Sequence, residues 1–162
     1  MRRVWLSFQA LAAMIAEGHR CEPLETGGAL IGYWASSDEA VITCIVGPGP
    51  AAEHELTAFT PDHGFHQNEI DRIYRATGRT ETYLGDWHTH PRNGACLSDK
   101  DIRTLKKIAH HQPSRLAHPL MAVLALEKAE LVVWCCVEHK RLQPWSGRVV
   151  SCTLDFFDIA DS

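Results

Sequence analysis

The stretch Asp86–Asp101, DWHTHPRNGACLSDKD, places two histidines one residue apart and follows them with a serine and an aspartate. On a β-strand alternate side chains point to the same face, so His88 and His90 lie together and Thr89 lies opposite. The proline and glycine of the next segment, PRNGACL, end the strand and turn the chain. Asp101, in the first turn of a following helix, can therefore return to the two histidines.

Two neutral imidazoles and one carboxylate are the ligand set of a catalytic zinc, in which the fourth position stays open for water. This donor set favours zinc, so we expect one zinc ion per chain. Each half of the pattern also has a simpler interpretation. The S-x-x-D spacing of Ser98 and Asp101 is close to that of a helix capping box. The chain has ten histidines, so a pair such as His88 and His90 can arise by chance.

Other histidine pairs are predicted to lie on the surface: His63 with His66, and His110 with His111. The second of these pairs falls at a helix C-terminus, where positive charge is favoured. Trp87, beside the first histidine of the H-x-H pair, points away from the metal on a regular strand. We therefore expect its indole in the hydrophobic core.

Length and composition predict one globular domain spanning residues 1–162, since 162 residues are about one domain. The apolar fraction of 45% and charged fraction of 22% are ordinary for such a protein. The net charge of −4 and the lack of a basic run argue against a nucleic-acid partner. No apolar run approaches the roughly 18 residues of a membrane span, so we expect no membrane association.

The six cysteines contain no C-x-x-C pair, and we expect all of them reduced in a cytoplasmic protein. The N-terminal stretch MRRVWLSFQALAAMIA has the basic start and apolar body of a signal peptide. However, Ser7 and Gln9 interrupt the apolar body, and no small-x-small cleavage site follows. Apolar residues at helical spacing instead predict an amphipathic helix that packs on the core through Phe8, Leu11, Ala12 and Ile15.

Two β-hairpins are predicted from apolar, β-leaning segments: GGALIGYW with AVITCIVG, and LMAVLAL with LVVWCCV. A helix ending at Gly78 is predicted from the spacing of Ile70, Ile73 and Tyr74. Another helix is predicted to begin near Ser98, and ETYLGDWHTH before it is predicted as a strand.

Residues 51–60 match no pattern, and the tail GRVVSCTLDFFDI is predicted as one strand or a short helix. Strands and helices are mixed along the chain, and neighbouring strands pair as hairpins. The fold class is therefore predicted as α/β, a single domain with a mixed, largely antiparallel β-sheet flanked by helices.

The segment HTHPRNGACLSDKD fits H-x-H-P, then six residues, then S-x-x-D. The segment ETGGALIG, from Glu25 to Gly32, supplies a glutamate before the first hairpin. Together these segments resemble the JAB/JAMM metalloprotease family, the catalytically competent MPN domains. The resemblance extends from about Leu24 to Cys136 and implies a single MPN domain with zinc metallopeptidase activity.

The resemblance also implies a role for each residue of the pattern. His88, His90 and Asp101 correspond to the zinc ligands. Glu25 corresponds to the general base that takes a proton from the zinc-bound water. Ser98 corresponds to the group that helps to hold the oxyanion of the tetrahedral intermediate, and it can cap the helix as well.

The chain is most similar to short bacterial JAB proteins encoded beside E1-like and E2-like enzymes, including those of CBASS antiphage operons. The resemblance implies cleavage after the C-terminal glycine of ubiquitin or a ubiquitin-like protein, for deconjugation or precursor processing. The expected partners are that protein, its conjugates, and the E1-like and E2-like enzymes. Glycine suits a narrow channel, and we expect the tail to add as a strand beside His88 and His90.

Two alternatives belong to other functional classes. RadC-like proteins share the H-x-H and S-x-x-D pattern and have been linked by name to DNA repair, but usually carry an N-terminal helical DNA-binding unit. Only about 24 residues precede Glu25 here, and their basic residues are Arg2, Arg3 and Arg20. The other alternative is a non-catalytic binding module for a ubiquitin-like tail.

Overall fold

The structure is a computed structural model that describes residues 1–111, 116, 118–138, 140, 142–143 and 146–160. Among these residues there are three α-helices and ten β-strands. In chain order the elements are β1 (Arg3–Ser7), α1 (Phe8–Cys21), β2 (Gly27–Trp34), β3 (Glu39–Val46), β4 (Glu53–His54), β5 (Phe59–Thr60), α2 (His63–Ala76), β6 (Thr82–His90), α3 (Asp99–His110), β7 (Leu120–Ala125), β8 (Glu130–Val137), β9 (Arg148–Ser151) and β10 (Thr153–Phe157).

Eight strands form one sheet in the order β10-β1-β3-β2-β6-β7-β8-β9, and β4 pairs with β5 in a separate hairpin. Four of the seven pairings in the large sheet are antiparallel, and three are parallel. Helix α1 packs on one face of the sheet, whereas α2 and α3 pack on the other. This arrangement confirms the predicted α/β fold class.

The two predicted hairpins are present as β2–β3 and β7–β8. Cys135 packs on the α1 side of β8 and Cys136 on the α3 side, as the alternation of a strand requires. Trp87 is buried in the core beneath α1, which confirms its predicted place. Its indole Nε1 donates a hydrogen bond to the Val46 carbonyl at 3.2 Å.

The C-terminal segment forms two strands rather than the single strand or short helix predicted for it. β9 pairs with β8 at one edge of the sheet, whereas β10 pairs with β1 at the other edge. Only Cys152 separates them, and its N–H donates to the Val133 carbonyl at 2.8 Å. The two edges must therefore approach each other, which curls the sheet.

Helix α1 forms as predicted, but the prediction of its buried face is confirmed only for Leu11, which packs against the core, and is wrong for Ala12, which is exposed. Phe8 and Ile15 are exposed, whereas Ala10, Met14 and Gly18 are buried against the sheet. A Cβ at Gly18 would come within 3.2 Å of neighbouring side chains, so small residues allow the helix to approach closely. The Phe8 ring stacks on a phenylalanine of β10, which explains its outward position.

The helices α2 and α3 begin at capping residues that the sequence provides. The Asp62 carboxylate accepts from the N–H of Phe65 at 3.0 Å, and the Ser98 hydroxyl accepts from the N–H of Asp101 at 3.1 Å. Ile70 and Ile73 pack on the sheet as their spacing predicts. No helix in the described ranges has both the length and the apolar character needed to cross a bilayer.

Strand β6 lies in the middle of the sheet, between β2 and β7. Its His88 is paired with Gly27 on one side and with Val123 on the other. The expectation that a peptide adds as a strand directly beside His88 and His90 is therefore wrong, because the backbone of β6 has no free edge there.

A β-bulge interrupts the pairing of β6 with β2. Tyr83 is paired with Ile31 and Gly85 with Leu30, so Leu84 is the extra residue. Gly85 has a φ of 145°, and a Cβ there would overlap the carbonyl oxygen of Leu120 on β7. The bulge brings the side chains of Tyr83 and Asp86, three residues apart, to the same face of the sheet.

We expect Gly85→Ala to lower the free energy of unfolding by about 2 kcal/mol or more. Alanine would be strained at the positive φ of this position, and its Cβ would collide with the Leu120 carbonyl oxygen. Urea unfolding followed by circular dichroism measures this loss. Gly64→Ala is the matched control, since its Cβ would lie 3.6 Å from the nearest atom, in a helix where alanine is favoured. Equal stability of the two variants would contradict the proposed constraint.

Candidate metal centre

The structure brings together the two histidines of β6 and the aspartate of α3. One ligand atom from each of His88, His90 and Asp101 lies within 4.8 Å of the others, and no further residue joins this group among the described residues. The Nε2 atoms of the two histidines are 3.1 Å apart. The Asp101 carboxylate lies 3.4 Å from His88 Nε2 and 3.7 Å from His90 Nε2.

These separations of 3.1, 3.4 and 3.7 Å are close to those that a metal ion held by all three residues requires. Zinc bonds of about 2.0–2.2 Å in a tetrahedral arrangement put the ligand atoms roughly 3.3–3.6 Å apart. Two imidazole nitrogens and one carboxylate oxygen are ligands that zinc accepts, and they leave one position for water or substrate. Cys96, close in sequence, is exposed and is not a member of the group.

His90 is oriented by a contact on the far side of its ring. Its Nδ1 lies 2.9 Å from the carbonyl oxygen of Gly94, which can only accept a hydrogen bond. The proton of the neutral ring therefore sits on Nδ1, and Nε2 keeps its lone pair for a metal. Gly94 belongs to the turn after β6, so the segment that ends the strand also holds the histidine.

Asp101 is held in place by Ser98 in a capping box. The carboxylate accepts from the Ser98 N–H at 2.8 Å and from the Ser98 hydroxyl at 2.7 Å. Burial works against ionisation of Asp101, but the neighbouring imidazoles of His88 and His90 and the hydrogen bond from Ser98 outweigh it and hold the pKa well below its usual range. The same carboxylate raises the pKa of His90. The cap therefore presents an ionised carboxylate to the histidines.

Glu25 lies in the same cleft as the three ligand residues. Its N–H donates to the Glu55 carbonyl at 2.8 Å, and its carbonyl oxygen lies 3.0 Å from His54 Nδ1. Burial raises the pKa of the Glu25 carboxyl, although the nearby His88 and His90 oppose this effect. The side chain is half-buried, so a proton acceptor of raised basicity faces the ligand group.

The backbone next to Glu25 is joined directly to the H-x-H segment. The Thr26 N–H donates to the hydroxyl oxygen of Thr89 at 3.0 Å, and the Thr89 N–H donates to the Thr26 carbonyl at 2.8 Å. The Thr26 hydroxyl in turn donates to the Glu17 carboxylate of α1 at 3.1 Å. Because Thr89 lies between the two histidines, these bonds fix Glu25 relative to both.

The β4–β5 hairpin forms one wall of the cleft, and it comes from residues 51–60, where the sequence shows no pattern. Its strands have only two residues each, which is too short for alternation to be recognised. The cleft has a volume of about 310 Å³. Besides Glu25, Ser98 and the ligand group, its lining includes Thr57, Phe59, Pro61, Asn93, Lys100 and Thr104.

The surface prediction is wrong for His66 of α2. This residue is buried, and its Nε2 lies 2.8 Å from the Gly47 carbonyl oxygen, which ties the helix to the end of β3. His63, one turn earlier, is exposed and lines the cleft.

Comparison with protein families places residues 8–143 within the prokaryotic homologues of the JAB domain. A probable metalloprotease of Sinorhizobium fredii is 39% identical over 122 residues, which are 75% of this chain and 74% of that protein. A CD-NTase/cGAS isopeptidase of Escherichia coli is 32% identical over 80 residues, which are 49% of this chain and 51% of that protein.

The proteasome regulatory subunit RPN11 of Encephalitozoon cuniculi is 32% identical over 124 residues. The match covers 74% of this chain but only 41% of that subunit. Among solved structures, the solution structure of a protein from Desulfitobacterium hafniense has a TM-score of 0.67 and 18% identity. It covers 96% of this chain and 94% of the other chain, which supports the same fold.

We expect the purified protein to hold about one zinc per chain, and His88→Ala or Asp101→Ala to lose most of it. Metal analysis by mass spectrometry after dialysis measures the content. His19→Ala is the matched control, because His19 is an exposed histidine of α1 whose ring contacts Glu22. Zinc retained in both ligand variants, or lost equally in the control, would contradict the assignment.

Proposed function

The chain belongs to the prokaryotic homologues of the JAB domain and is a JAMM-type metallopeptidase, and we propose that it is a zinc-dependent isopeptidase. Its substrate in this proposal is an amide bond directly after the C-terminal glycine of ubiquitin or a ubiquitin-like protein. The supporting observation is the convergence in one cleft of a carboxylate, Glu25, with the cluster of His88, His90 and Asp101.

In this proposal His88, His90 and Asp101 hold one zinc ion. When bound, zinc lowers the pKa of its water to about 7 and polarises the substrate carbonyl. Glu25 acts as the general base, accepting a proton from the attacking water and delivering it to the amine leaving group. The raised pKa of its carboxyl suits the first half of this transfer, because a more basic carboxylate takes up the proton more readily.

Ser98 donates a hydrogen bond to the carbonyl oxygen as negative charge develops on it. In the free protein its hydroxyl proton is directed at the Asp101 carboxylate, 2.7 Å away. Once Asp101 shares its charge with a cation, that carboxylate becomes a weaker acceptor, and the proton is free to turn to the substrate. The hydroxyl oxygen continues to accept from the Asp101 N–H as the helix cap, while its proton serves the substrate.

The glycine requirement is supported by the size of the cleft. A volume of about 310 Å³ is at the lower limit for small-molecule sites, and glycine has no side chain to accommodate. The β4–β5 hairpin forms a separate two-stranded sheet at the wall of the cleft. A free edge of this hairpin offers main-chain hydrogen bonds to an extended tail, which the paired β6 does not.

The relatives support a ubiquitin-like substrate through the activities in their names, an isopeptidase and a proteasome subunit. We propose deconjugation or precursor processing beside E1-like and E2-like enzymes, in the cytoplasm, with a role in antiphage defence. The six free cysteines are consistent with a reducing compartment. The similarity to the Escherichia coli CD-NTase/cGAS isopeptidase is the observation that favours the defence role.

We expect Glu25→Gln to keep the zinc and the fold but to lose turnover by about 10²–10⁴-fold, the usual contribution of general-base catalysis. Zinc content, thermal unfolding and the rate on a ubiquitin-like fusion are measured together. Glu127→Gln, at an exposed glutamate in the turn between β7 and β8, should change none of the three. Near-normal turnover in Glu25→Gln would rule out the assigned base.

We expect Ser98→Ala and Ser98→Gly to slow turnover alike, by roughly 10²-fold, since both remove the hydroxyl donor. Their stabilities should differ, because alanine at an N-cap costs about 1 kcal/mol and glycine only a few tenths. Rates and urea midpoints of both variants separate the two roles. If turnover follows stability, Ser98 is only a cap.

A pair of fusions tests the substrate class. A ubiquitin-like protein ending in glycine before a short extension should be cut after that glycine, and the same fusion with leucine should be cut at least about tenfold more slowly. Product masses locate the cut, and initial rates compare the two fusions. A chelator should stop the reaction. Equal cutting of both would leave a general metallopeptidase. No cutting of either by zinc-loaded protein would favour a binding module.

A further inference from the structure

Asp86 lies two residues before His88 on β6, at the point where two cavities meet. One is the catalytic cleft of about 310 Å³. The other is a groove of about 1250 Å³ that runs between α2 and α3 on the same face of the sheet. Both cavities are lined by Asp86 together with Pro61, His63 and Thr104. A chain that passes from the groove into the cleft must therefore pass this carboxylate.

One oxygen of the Asp86 carboxylate accepts a hydrogen bond within the protein, and the other has no donor among the described residues. The Tyr83 hydroxyl donates to Asp86 Oδ1 at 2.8 Å, a contact that the β6 bulge makes possible. Among the described residues, no group donates a hydrogen bond to Oδ2, and no lysine or arginine lies within ion-pair distance of the carboxylate. Tyr83 therefore orients the side chain, and Oδ2 remains available to a donor that enters the cavities lined by Asp86.

A largely buried carboxylate without a cationic partner is costly, because burial removes its hydration. The neighbouring imidazole of His66 is engaged with the Gly47 carbonyl. The lysine and arginine side chains on the cavity walls are Lys100 in the cleft and Arg79 and Lys107 in the groove, and none of them forms an ion pair with Asp86. A cation brought by the substrate would compensate the buried charge.

We propose that Asp86 is a specificity-determining residue that accepts a hydrogen bond from a basic side chain of the substrate tail. The inference rests on the proposed function, since it assigns that tail to the groove and its terminal glycine to the cleft. Residues two apart on a strand are about 7 Å apart, and an extended peptide advances about 3.3 Å per residue. The basic residue thus lies two or three positions before the glycine.

The first test uses the zinc-loaded wild-type protein and fluorescent peptides that end in a free glycine carboxylate. Arginine or glutamine is placed in turn at each of the five positions before the glycine, and the dissociation constant is measured by fluorescence anisotropy. We expect arginine to bind about 10–100-fold more tightly than glutamine, as a charge-assisted hydrogen bond allows, at the second or third position only. Equal affinities at all positions would overturn the inference.

The second test asks whether Asp86 is the source of this preference. Asp86→Asn should reduce the arginine-to-glutamine ratio to about one, whereas Asp86→Glu should restore part of it. Asp158→Asn is the matched control, because Asp158 is an exposed aspartate that lines neither cavity and should keep the ratio. Zinc content and unfolding are measured on each variant, since loss of structure would weaken both peptides equally and leave the ratio unchanged. A preserved ratio in Asp86→Asn would overturn the inference.

The fusions of the preceding section separate this inference from the proposed function. If the glycine fusion is cut but arginine and glutamine tails are cut with equal kcat/KM, only the role of Asp86 fails. If neither fusion is cut and no peptide binds, the tail-binding function itself fails. A preference for arginine on the leaving-group side of the cut bond would overturn the assignment of the groove to the tail.

Discussion

The antiparallel pairing of β2 with β6 is the constraint on which the site depends. Thr26 and Thr89 exchange two hydrogen bonds at the end of this pairing, although 63 residues separate them. The bonds place Glu25 beside the two histidines. A Cβ on Gly27 would overlap the Trp87 carbonyl oxygen. This glycine therefore allows the two strands to approach closely enough for the hydrogen bonds between Thr26 and Thr89. Backbone geometry thus sets the positions of Glu25, His88 and His90 relative to one another.

The ligand group is preorganised by contacts that do not involve a metal. The capping box holds the Asp101 carboxylate, and the Gly94 carbonyl holds His90 from the other side of its ring. Two imidazole Nε2 atoms 3.1 Å apart can share only one proton, which makes the arrangement unfavourable when both rings are charged. A divalent cation relieves this conflict, and the fixed positions of its ligands reduce the entropy lost on binding.

The helices on the α2 and α3 face decide what can reach the site. They pack on different parts of the sheet and leave the groove between them, and the cleft opens where the groove meets the end of β6. The bulge at Leu84 places Asp86 on the face of the sheet where the groove meets the cleft. A regular strand would put Tyr83 and Asp86 on opposite faces. A local irregularity four residues before His88 therefore places Asp86 at the junction of the two cavities, while His88 and His90 keep the alternation of a regular strand.

The sequence by itself determined the features that depend on local periodicity: the paired faces of β6, the cap at Ser98 and the two main hairpins. The resemblance carried by the H-x-H-P and S-x-x-D spacing and by ETGGALIG predicted a role for Glu25, which lies in the same cleft as His88, His90 and Asp101. Only the tertiary structure decided which face of α1 is buried, because residues 8–16 carry no charge and both faces are apolar. It also decided the burial of His66, the β4–β5 hairpin and the junction at Asp86. Each of these depends on contacts between distant segments, which no local pattern records.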